Sequence, residues 1–514
     1  MFKALFRFIF KLLLLLVVVY GAARLYVVVT ESHLGGERLP YVQMVTDDSV
    51  IIRWLTKDQE MGVVRYGERR ESPMFLSLES SPRRDHRVSI SGLKSGTRYY
   101  YHVGDINGYF VDDEEIYWFE TAPTEPEPAR IWVIGDSGDP GETVERVRDA
   151  ALDWMRAHPL EEKGDGSLID VWLSLGDIAY TSGSNEQYQR AFFQPFGDIA
   201  ANTALWPTYG NHDSRRWTYF RLFDMPENGE AGGVPSGTEH YYSFDYGDIH
   251  FIMLDSQDSD RSKDGDMMRW LKEDLRKNRS LWTIVAFHHP PYTKGSHDSD
   301  SRYDSRGRMQ DMRENFLPVL EAAGVDIVLS GHSHMYERSY LIDCYYGDSD
   351  DFSEKNVVST GQDGSNWDYL KPKPAEASID ASIDSRLPGH KGTIYMVAGS
   401  TSKVDQGPLD HPAHVVSLLE AGSVVIDVVD DTLTARFINE HGKVSDGFRI
   451  TKQAGVDLGY PGCQPDVIKT AEKNQAKAEP EDESKDGEPE DGSKGKQNEQ
   501  FKDKGNSKEL GKPK

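Results

Sequence analysis

The chain has 514 residues, a formal net charge of -27 at pH 7 and a sequence pI near 5.0. Its length exceeds what one hydrophobic core usually organises and predicts two to four structural units. The acidic excess argues against tight nucleic-acid binding, which depends on Lys and Arg that neutralise phosphates. The two cysteines, Cys344 and Cys463, exclude a zinc ribbon or a disulfide-rich scaffold. One disulfide and two free thiols are equal alternatives at this stage.

The N-terminus combines positive charge with a long apolar run. Lys3, Arg7 and Lys11 precede the apolar residues 12–20, and Gly21-Ala22-Ala23 follows. This layout is typical of a signal peptide, and the run is also nearly long enough to span a bilayer. We therefore expect residues 1–31 to be a signal peptide or an N-terminal membrane anchor. The protein is predicted to be exported to a periplasmic or extracellular location.

Residues 38–123 show short alternating strands with turn signals between them. Leu93 and the segment Gly96-Thr97-Arg98-Tyr99 resemble the corner of fibronectin type III domains, in which a Tyr bonds back to the backbone. This resemblance implies a small all-β fibronectin-like sandwich. The unit carries no cluster of catalytic groups, so we expect it to be structural.

Residues 129–452 alternate buried-type strands with helical patterns, which predicts an α/β domain. Predicted strands include 130–134, 171–175, 250–254, 282–287 and 326–329, with helices at 143–158, 188–196, 267–278 and 309–323. Later strands are predicted at 392–397 and 423–428, and 432–439 as a hairpin partner of the latter. Residues 344–390 are interpreted as a long surface loop, and 465–514 as a disordered charged tail.

Five short stretches place polar donors where predicted strands end. The stretches are Gly135-Asp136-Ser137-Gly138, Gly176-Asp177-Ile178-Ala179-Tyr180, Gly210-Asn211-His212-Asp213, Val285-Ala286-Phe287-His288 and Gly331-His332-Ser333-His334. Their donors are Asp136, Asp177, Tyr180, Asn211, His288, His332 and His334. Ligands collect at the carboxyl ends of strands in such sheets. Seven donors exceed the normal coordination of one transition metal and suit two metals that share a bridging carboxylate.

The donor types narrow the choice of metal. Mixed carboxylate, imidazole, amide and phenolate donors favour iron, zinc or manganese. A phenolate is a poor ligand for divalent zinc and a good one for a trivalent ion. Taken singly, each motif has an ordinary alternative, such as a turn, a cap or the end of a strand; their joint occurrence in order favours the metal centre.

In this order the five motifs resemble the signature of purple acid phosphatases within the calcineurin-like metallophosphoesterases. The resemblance covers about 39–451, and it implies a layered α/β/β/α metallophosphoesterase fold behind the sandwich. Most relatives in the superfamily carry Asp-x-His in the first motif, whereas this chain has Gly138, and Tyr180 would restore the donor. The protein-phosphatase motif Gly-Asp-x-x-Asp-Arg-Gly is absent from the sequence.

The resemblance assigns roles residue by residue. Asp136, Tyr180 and His334 would hold Fe(III), Asp177 would bridge, and Asn211, His288 and His332 would hold a divalent ion (Zn, Fe or Mn). His212 would face the phosphate, and His297, nine residues after His288, is the candidate general acid. The departures are Asp213 in place of Glu, a variant expected not to touch the metals, and His289 in place of a small residue.

These roles imply an acid phosphatase-type hydrolase in which a metal-bound hydroxide attacks a phosphate monoester. A phosphodiesterase of the same fold is the alternative, and a surface-anchored non-catalytic binding protein is a more distant one. The expected partner is a phosphate ester substrate, without nucleic-acid binding. N-terminal membrane anchoring and a homodimer both stay open.

Overall fold

The computed structural model describes residues 2–32, 36–70, 74–108, 116–160, 167–363, 366–373, 391–456 and 458. They lie in one compact unit, Met1–Ala471. The predicted tail, 465–514, lies outside the described residues. Its disorder stays a prediction.

The N-terminal segment forms helix α1 (Phe2–Ser32). Among the residues that the structure describes, no helix is both long enough and apolar enough to cross a membrane. N-terminal membrane anchoring and export both stay predictions.

The N-terminal domain is an all-β sandwich of two antiparallel sheets. Its strands are β1 (Arg38–Gln43), β2 (Ser49–Glu60), β3 (Val63–Gly67), β4 (Phe75–Leu78), β5 (Arg83–Ser91), β6 (Arg98–Gly104) and β7 (Tyr117–Glu120). The sheets have the orders β1-β2-β5 and β4-β3-β6-β7. The backbone N–H of Lys94 donates to the hydroxyl of Tyr99 at 3.0 Å. The Tyr corner predicted from the sequence is therefore present.

The second domain contains two large mixed sheets that pack face to face. The eight-stranded sheet has the order β10-β9-β8-β22-β23-β24-β19-β18, and the seven-stranded sheet β11-β12-β13-β14-β20-β15-β21. The first contains β8 (Ala129–Ile134), β9 (Val171–Ser174), β10 (Leu205–Pro207), β18 (Gln362–Asp363), β19 (Asn366–Pro372), β22 (Gly422–Val429), β23 (Thr432–Asn439) and β24 (Val444–Gln453). The second contains β11 (Tyr242–Tyr246), β12 (Ile249–Met253), β13 (Trp282–Ala286), β14 (Ile327–Ser330), β15 (Tyr336–Ser339), β20 (Ile394–Ala398) and β21 (His414–Leu418). A small hairpin pairs β16 (Leu341–Ile342) with β17 (Val357–Ser359).

Helices cover the outer faces of both sheets. They are α2 (Glu142–Ala157), α3 (Asn185–Tyr188), α4 (Gln194–Ala200), α5 (Thr218–Leu222), α6 (Asp266–Lys277), α7 (Arg308–Asp311) and α8 (Leu317–Ala322). π-helical turns at Gln189–Phe193 and Met312–Phe316 join α3 to α4 and α7 to α8, and short 3₁₀ turns lie at Asp213–Arg215, Asp304–Gly307, Ser349–Asp351 and Glu354–Asn356. The layers confirm the predicted α/β/β/α arrangement.

The core follows from the period of two in the strands. In β13, Ile284 belongs to the apolar cluster between the sheets, whereas Val285 belongs to the cluster beneath α6 and α8. Both residues are buried, which explains why the strand reads as a continuous apolar run. Along α2, Val144, Val147 and Ala151 are buried at helical spacing.

The sandwich and the second domain are held together by specific contacts. Arg53 forms an ion pair with Asp224 at 3.1 Å. The hydroxyl of Tyr41 donates to the carbonyl of Leu222 at 3.0 Å, and that of Tyr101 to the carbonyl of Ala201 at 2.6 Å. Both tyrosines are buried, so the two domains share a packed interface.

One sequence-based prediction in this domain is wrong. Residues 344–390 do not form one long surface loop, because β19 extends the eight-stranded sheet through parallel pairing with β24. Tyr369 of β19 is buried in the inter-sheet core. The part at 374–390 lies outside the described residues. Cys344 is disulfide-bonded, which agrees with the disulfide alternative, while Cys463 lies outside the described residues.

Candidate metal centre

The predicted donors follow strands that end at the same edge of the two sheets. β8, β9 and β10 run parallel to one another in one sheet, and β13 runs parallel to β14 in the other. The donors lie just beyond their carboxyl ends, at Asp136, Asp177, Asn211, His288 and His332. Because parallel strands end at one edge, motifs that are far apart in sequence meet there.

One half of the centre contains Asp136, Tyr180 and His334. The Tyr180 hydroxyl lies 3.0 Å from Oδ1 of Asp136 and 3.1 Å from Nε2 of His334. Nε2 of His334 lies 3.6 Å from the same carboxylate oxygen. On the far side of the imidazole, Nδ1 of His334 lies 2.5 Å from Oδ2 of Asp405. This contact leaves Nε2 facing the phenol and the carboxylate.

The other half contains Asp177, Asn211, His288 and His332. Nε2 of His288 lies 3.5 Å from Oδ2 of Asp177, 3.1 Å from Oδ1 of Asn211 and 3.2 Å from Nδ1 of His332. Nδ1 of His288 lies 2.7 Å from the carbonyl of Leu175. Four donor atoms from four loops therefore meet around one point.

The chemistry of these groups fits metal ions. Asp136, Asp177 and His288 each offer a ligand atom within 4.8 Å of the others, and all three are buried. Buried carboxylates need a compensating cation or several hydrogen-bond donors. Buried imidazoles whose second nitrogen is held by a carbonyl or carboxylate are the usual form of metal-ligating histidine.

The charges of the buried carboxylates also favour a positive charge among the donor atoms. Burial raises the pKa of Asp177, but the charges of His288 and His212 outweigh burial and lower it to about 2. Burial lowers the pKa of His288, but Asp177 outweighs burial and raises it to about 9. Burial, followed by the neighbouring carboxylates, raises the pKa of Tyr180 well above its usual value. The carboxylates thus favour a cation among the donor atoms, which is the place for a metal.

Three of the donor residues have unusual backbone conformations. Asp136, Asp177 and His332 have φ values of 54°, 54° and 67°. Non-glycine residues in this region are strained by roughly 1 kcal/mol or more and cluster at functional sites. The strain aims each side chain inward from the tight turn after its strand.

Gly138 occupies a position without space for a side chain. A Cβ atom there would lie 2.6 Å from the carbonyl oxygen of Asp177 and 2.7 Å from the backbone nitrogen of Ala179. The loop that carries Asp177 and Tyr180 therefore packs directly on the first motif. This contact explains why only a glycine fits at position 138, and it places the loop so that the phenol of Tyr180 reaches Asp136.

His212 and His297 lie beside the centre. The backbone N–H of His212 donates to Oδ1 of Asp177 at 2.8 Å, and its ring Nδ1 lies 2.7 Å from the carbonyl of Thr181. The ring of His297 stacks on that of His332 at 3.9 Å, with 18° between the planes. The imidazoles of His212 and His297 are about a quarter exposed. The structure therefore brings all nine predicted site residues together; their roles stay predictions.

The sequence analysis noted His289 as a departure from the family pattern but predicted none of its contacts. His289 is buried, its Nδ1 lies 2.9 Å from Oγ of Ser256, and its ring packs 4.4 Å from that of His332. Burial lowers the pKa of His289 well below its usual value, so it packs as a neutral ring. The doublet His288-His289 was visible in the sequence, but nothing there indicated which surface the second ring contacts.

Asp213 ties two of the ligand loops together. Its Oδ1 accepts hydrogen bonds from the Tyr188 hydroxyl at 2.6 Å and from the N–H of Ile178 at 3.2 Å. Burial, followed by the charge of Asp177, raises the pKa of Asp213 to about 7. The carboxylate therefore supports the loop of Asp177 from behind.

Known protein families match both domains of this chain. The family described as calcineurin-like phosphoesterase matches residues 129–336, and the purple acid phosphatase N-terminal domain matches residues 39–121. The chain thus resembles the purple acid phosphatases over both of its domains. These matches assign the chain to the hydrolases that act on phosphoric esters. The first domain is thus matched by the N-terminal domain of purple acid phosphatases, and the fibronectin type III resemblance stays a prediction.

Individual relatives show the same family resemblance. Purple acid phosphatase 18 of Arabidopsis thaliana is 28% identical over 382 residues, which cover 70% of this chain and 78% of that protein. Probable inactive purple acid phosphatase 9 of the same plant is 28% identical over 284 residues, and the chain spans 42% of its length. The structure of purple acid phosphatase PPD1 from yellow lupin (Lupinus luteus) superposes with a TM-score of 0.60 at 17% identity, covering 83% of this chain and 76% of that one. This last likeness concerns the fold.

Proposed function

We propose that the chain hydrolyses phosphate monoesters at a dinuclear metal centre. The observation that carries the proposal is the meeting of carboxylate, phenol, amide and imidazole donors from five loops at one sheet edge. The resemblance to purple acid phosphatases supports phosphoester hydrolysis, and the donor set supports two ions rather than one.

The donors divide into two groups by their contacts. Asp136, Tyr180 and His334 contact one another and would hold Fe(III), because a phenolate suits a trivalent ion. Asn211 and the imidazoles of His288 and His332 would hold the divalent ion, which we propose to be Zn, Fe or Mn. Asp177 contacts the second group and would bridge to the first.

The bound ions would supply an activated water as nucleophile and neutralise the phosphoryl oxygens. His212 binds the phosphate: its Nδ1–H is held by the Thr181 carbonyl, so Nε2 is the atom that faces substrate. His297 holds the proton for the leaving alkoxide on its Nε2, since its Nδ1 is held at 2.9 Å by Asp304. Lys403, whose Nζ lies 3.9 Å from the centre of the Tyr180 ring, adds positive charge beside the centre.

Export to a periplasmic or extracellular location is part of the proposal. Disulfides persist in oxidising compartments, and Cys344 is disulfide-bonded. Full-length protein recovered from a reducing cytoplasmic fraction with two free thiols would contradict this part.

The deciding experiment measures metal content, visible absorption and hydrolysis on one sample of the full chain. We expect iron plus a second metal, a visible tyrosinate–Fe(III) band, and faster turnover of p-nitrophenyl phosphate than of bis(p-nitrophenyl) phosphate. Tyr180→Phe should remove the band. A colourless active protein with two divalent ions would refute the ferric site. Faster diester turnover would favour the phosphodiesterase, and a metal-free inactive protein would favour the non-catalytic alternative.

A further inference from the structure

Each candidate histidine ligand has a partner for the ring nitrogen that faces away from the centre. A carbonyl oxygen holds Nδ1 of His288 and a carboxylate holds Nδ1 of His334. Both partners can only accept, so each fixes Nδ1–H and leaves the Nε2 lone pair for a metal. For His332 the partner is the hydroxyl of Ser305, 2.7 Å from Nε2. A hydroxyl can donate or accept, so Ser305 alone does not decide which nitrogen of His332 is free.

Asp304 decides it. Oγ of Ser305 donates to Oδ1 of Asp304 at 2.8 Å. A serine hydroxyl has one proton, and a carboxylate accepts. Ser305 must therefore accept from Nε2–H of His332, which leaves the lone pair on Nδ1. That atom lies 3.2 Å from Nε2 of His288, on the inner side of the ring.

The same carboxylate oxygen also orients His297. Nδ1 of His297 lies 2.9 Å from Oδ1 of Asp304, while Oδ2 accepts from the N–H of Asp298 at 2.9 Å. The His297 ring is thereby held flat against that of His332. One carboxylate thus holds both a candidate ligand and the candidate general acid.

The backbone at Ser305 and Arg306 is strained, and this conformation allows the contact between Ser305 and His332. Ser305 and Arg306 have φ/ψ of 49°/21° and 55°/40°, two consecutive non-glycine residues in the left-handed region. Such conformations persist only where surrounding contacts hold them, and they concentrate at functional sites. Here they turn the Ser305 hydroxyl toward His332.

We propose that Asp304 and Ser305 form a positioning relay that fixes His332 as an Nδ1 ligand of the divalent ion and orients His297. This inference rests on the proposed dinuclear function. Both residues act through the two histidines that they contact. Hydrogen-bond partners behind a ligating histidine typically contribute 10–100-fold to metal affinity, which sets the size of the expected effect.

The test compares full-length Ser305→Ala and Ser305→Gly with the wild type by zinc titration and metal analysis. Both variants should bind the divalent ion roughly 10–100-fold more weakly while they retain the tyrosinate band. Glycine relieves the positive φ, so an effect of backbone strain alone would leave Ser305→Gly at wild-type affinity. Ser262→Ala is the matched control, because Ser262 donates to Asp260 at 3.0 Å in an exposed loop.

Asp304→Asn tests the second arm of the relay. It should weaken divalent-ion binding as well, because it alters the carboxylate that contacts both Ser305 and His297. Wild-type zinc affinity in Ser305→Gly would overturn the relay. A third metal ion per chain that is lost in Asp304→Asn would also overturn it, because that ion would occupy the cluster of His297, Asp304 and His332. Failure of the wild type to bind any metal would remove the proposed function as well, so the two failures are distinguishable.

Discussion

His250 provides a buried charge whose contribution to stability can be measured through pH. It lies on β12, far from the proposed ligands in sequence, and it is 2% exposed. Its Nδ1 lies 2.5 Å from Asp245 on β11, and its Nε2 lies 2.8 Å from Asp274 on α6. The imidazolium therefore links the seven-stranded sheet to the helix that covers it.

The pKa of this group sets both the sign and the size of the effect. Burial lowers the pKa of His250, but the hydrogen bonds to Asp245 and Asp274 outweigh burial and raise it to about 9. Since the folded pKa lies above the unfolded value of about 6.5, the stabilisation is fully present below pH about 6.5. It is lost as pH rises through about 9. The difference corresponds to roughly 3 kcal/mol of unfolding free energy.

The assay is urea unfolding of the wild type and His250→Gln at several pH values from 6 to 9.5. Glutamine keeps a hydrogen-bond donor but cannot carry the charge. We expect the wild type to exceed the variant in stability at pH 6, and this margin to shrink by about 3 kcal/mol by pH 9.5. Exposed His441→Gln should track the wild type throughout. A margin for His250→Gln that stays constant across this range would refute the reasoning.

Two further changes test contacts that the fold depends on. Gly138→Ala should destabilise the protein by about 1–3 kcal/mol and reduce its metal content, because the added Cβ would lie 2.6 Å from the Asp177 carbonyl. Thermal unfolding measures the stability and metal analysis measures the metal content. A variant with wild-type stability and wild-type metal content would contradict the close packing at Gly138. Asp446→Ala should cost about 3–5 kcal/mol, because it leaves the buried guanidinium of Arg338 unpaired. Asp153→Ala, at an exposed ion pair, should cost less than about 1 kcal/mol in the same unfolding assay, and equal losses would contradict the role of burial.

The sequence predicted the elements that repeat a simple pattern. Buried parallel strands such as β8 and β13 read as apolar runs, and the helices α2 and α6 show apolar residues at helical spacing. β19 was missed because its sequence, Asn366–Pro372, lies in an Asp- and Ser-rich region and carries a proline at its end. Only its pairing with β24 and the burial of Tyr369 make it a strand, and such long-range pairing leaves no local signal.

In the candidate site, the donors could be predicted from the sequence, but the contacts that orient them could not. Its donors could be found because each lies in a short motif that follows a strand, and four of the five motifs contain a glycine, so that local spacing places them at one sheet edge. The relay could not be found in this way. Ser305 and Asp304 belong to a polar loop in which any of several hydroxyls and carboxylates could have faced the centre, and the choice depends on the left-handed backbone at Ser305 and Arg306. Tertiary contacts therefore determine which groups orient His332 and which of its nitrogens is free. The motif in the sequence identifies only His332 itself.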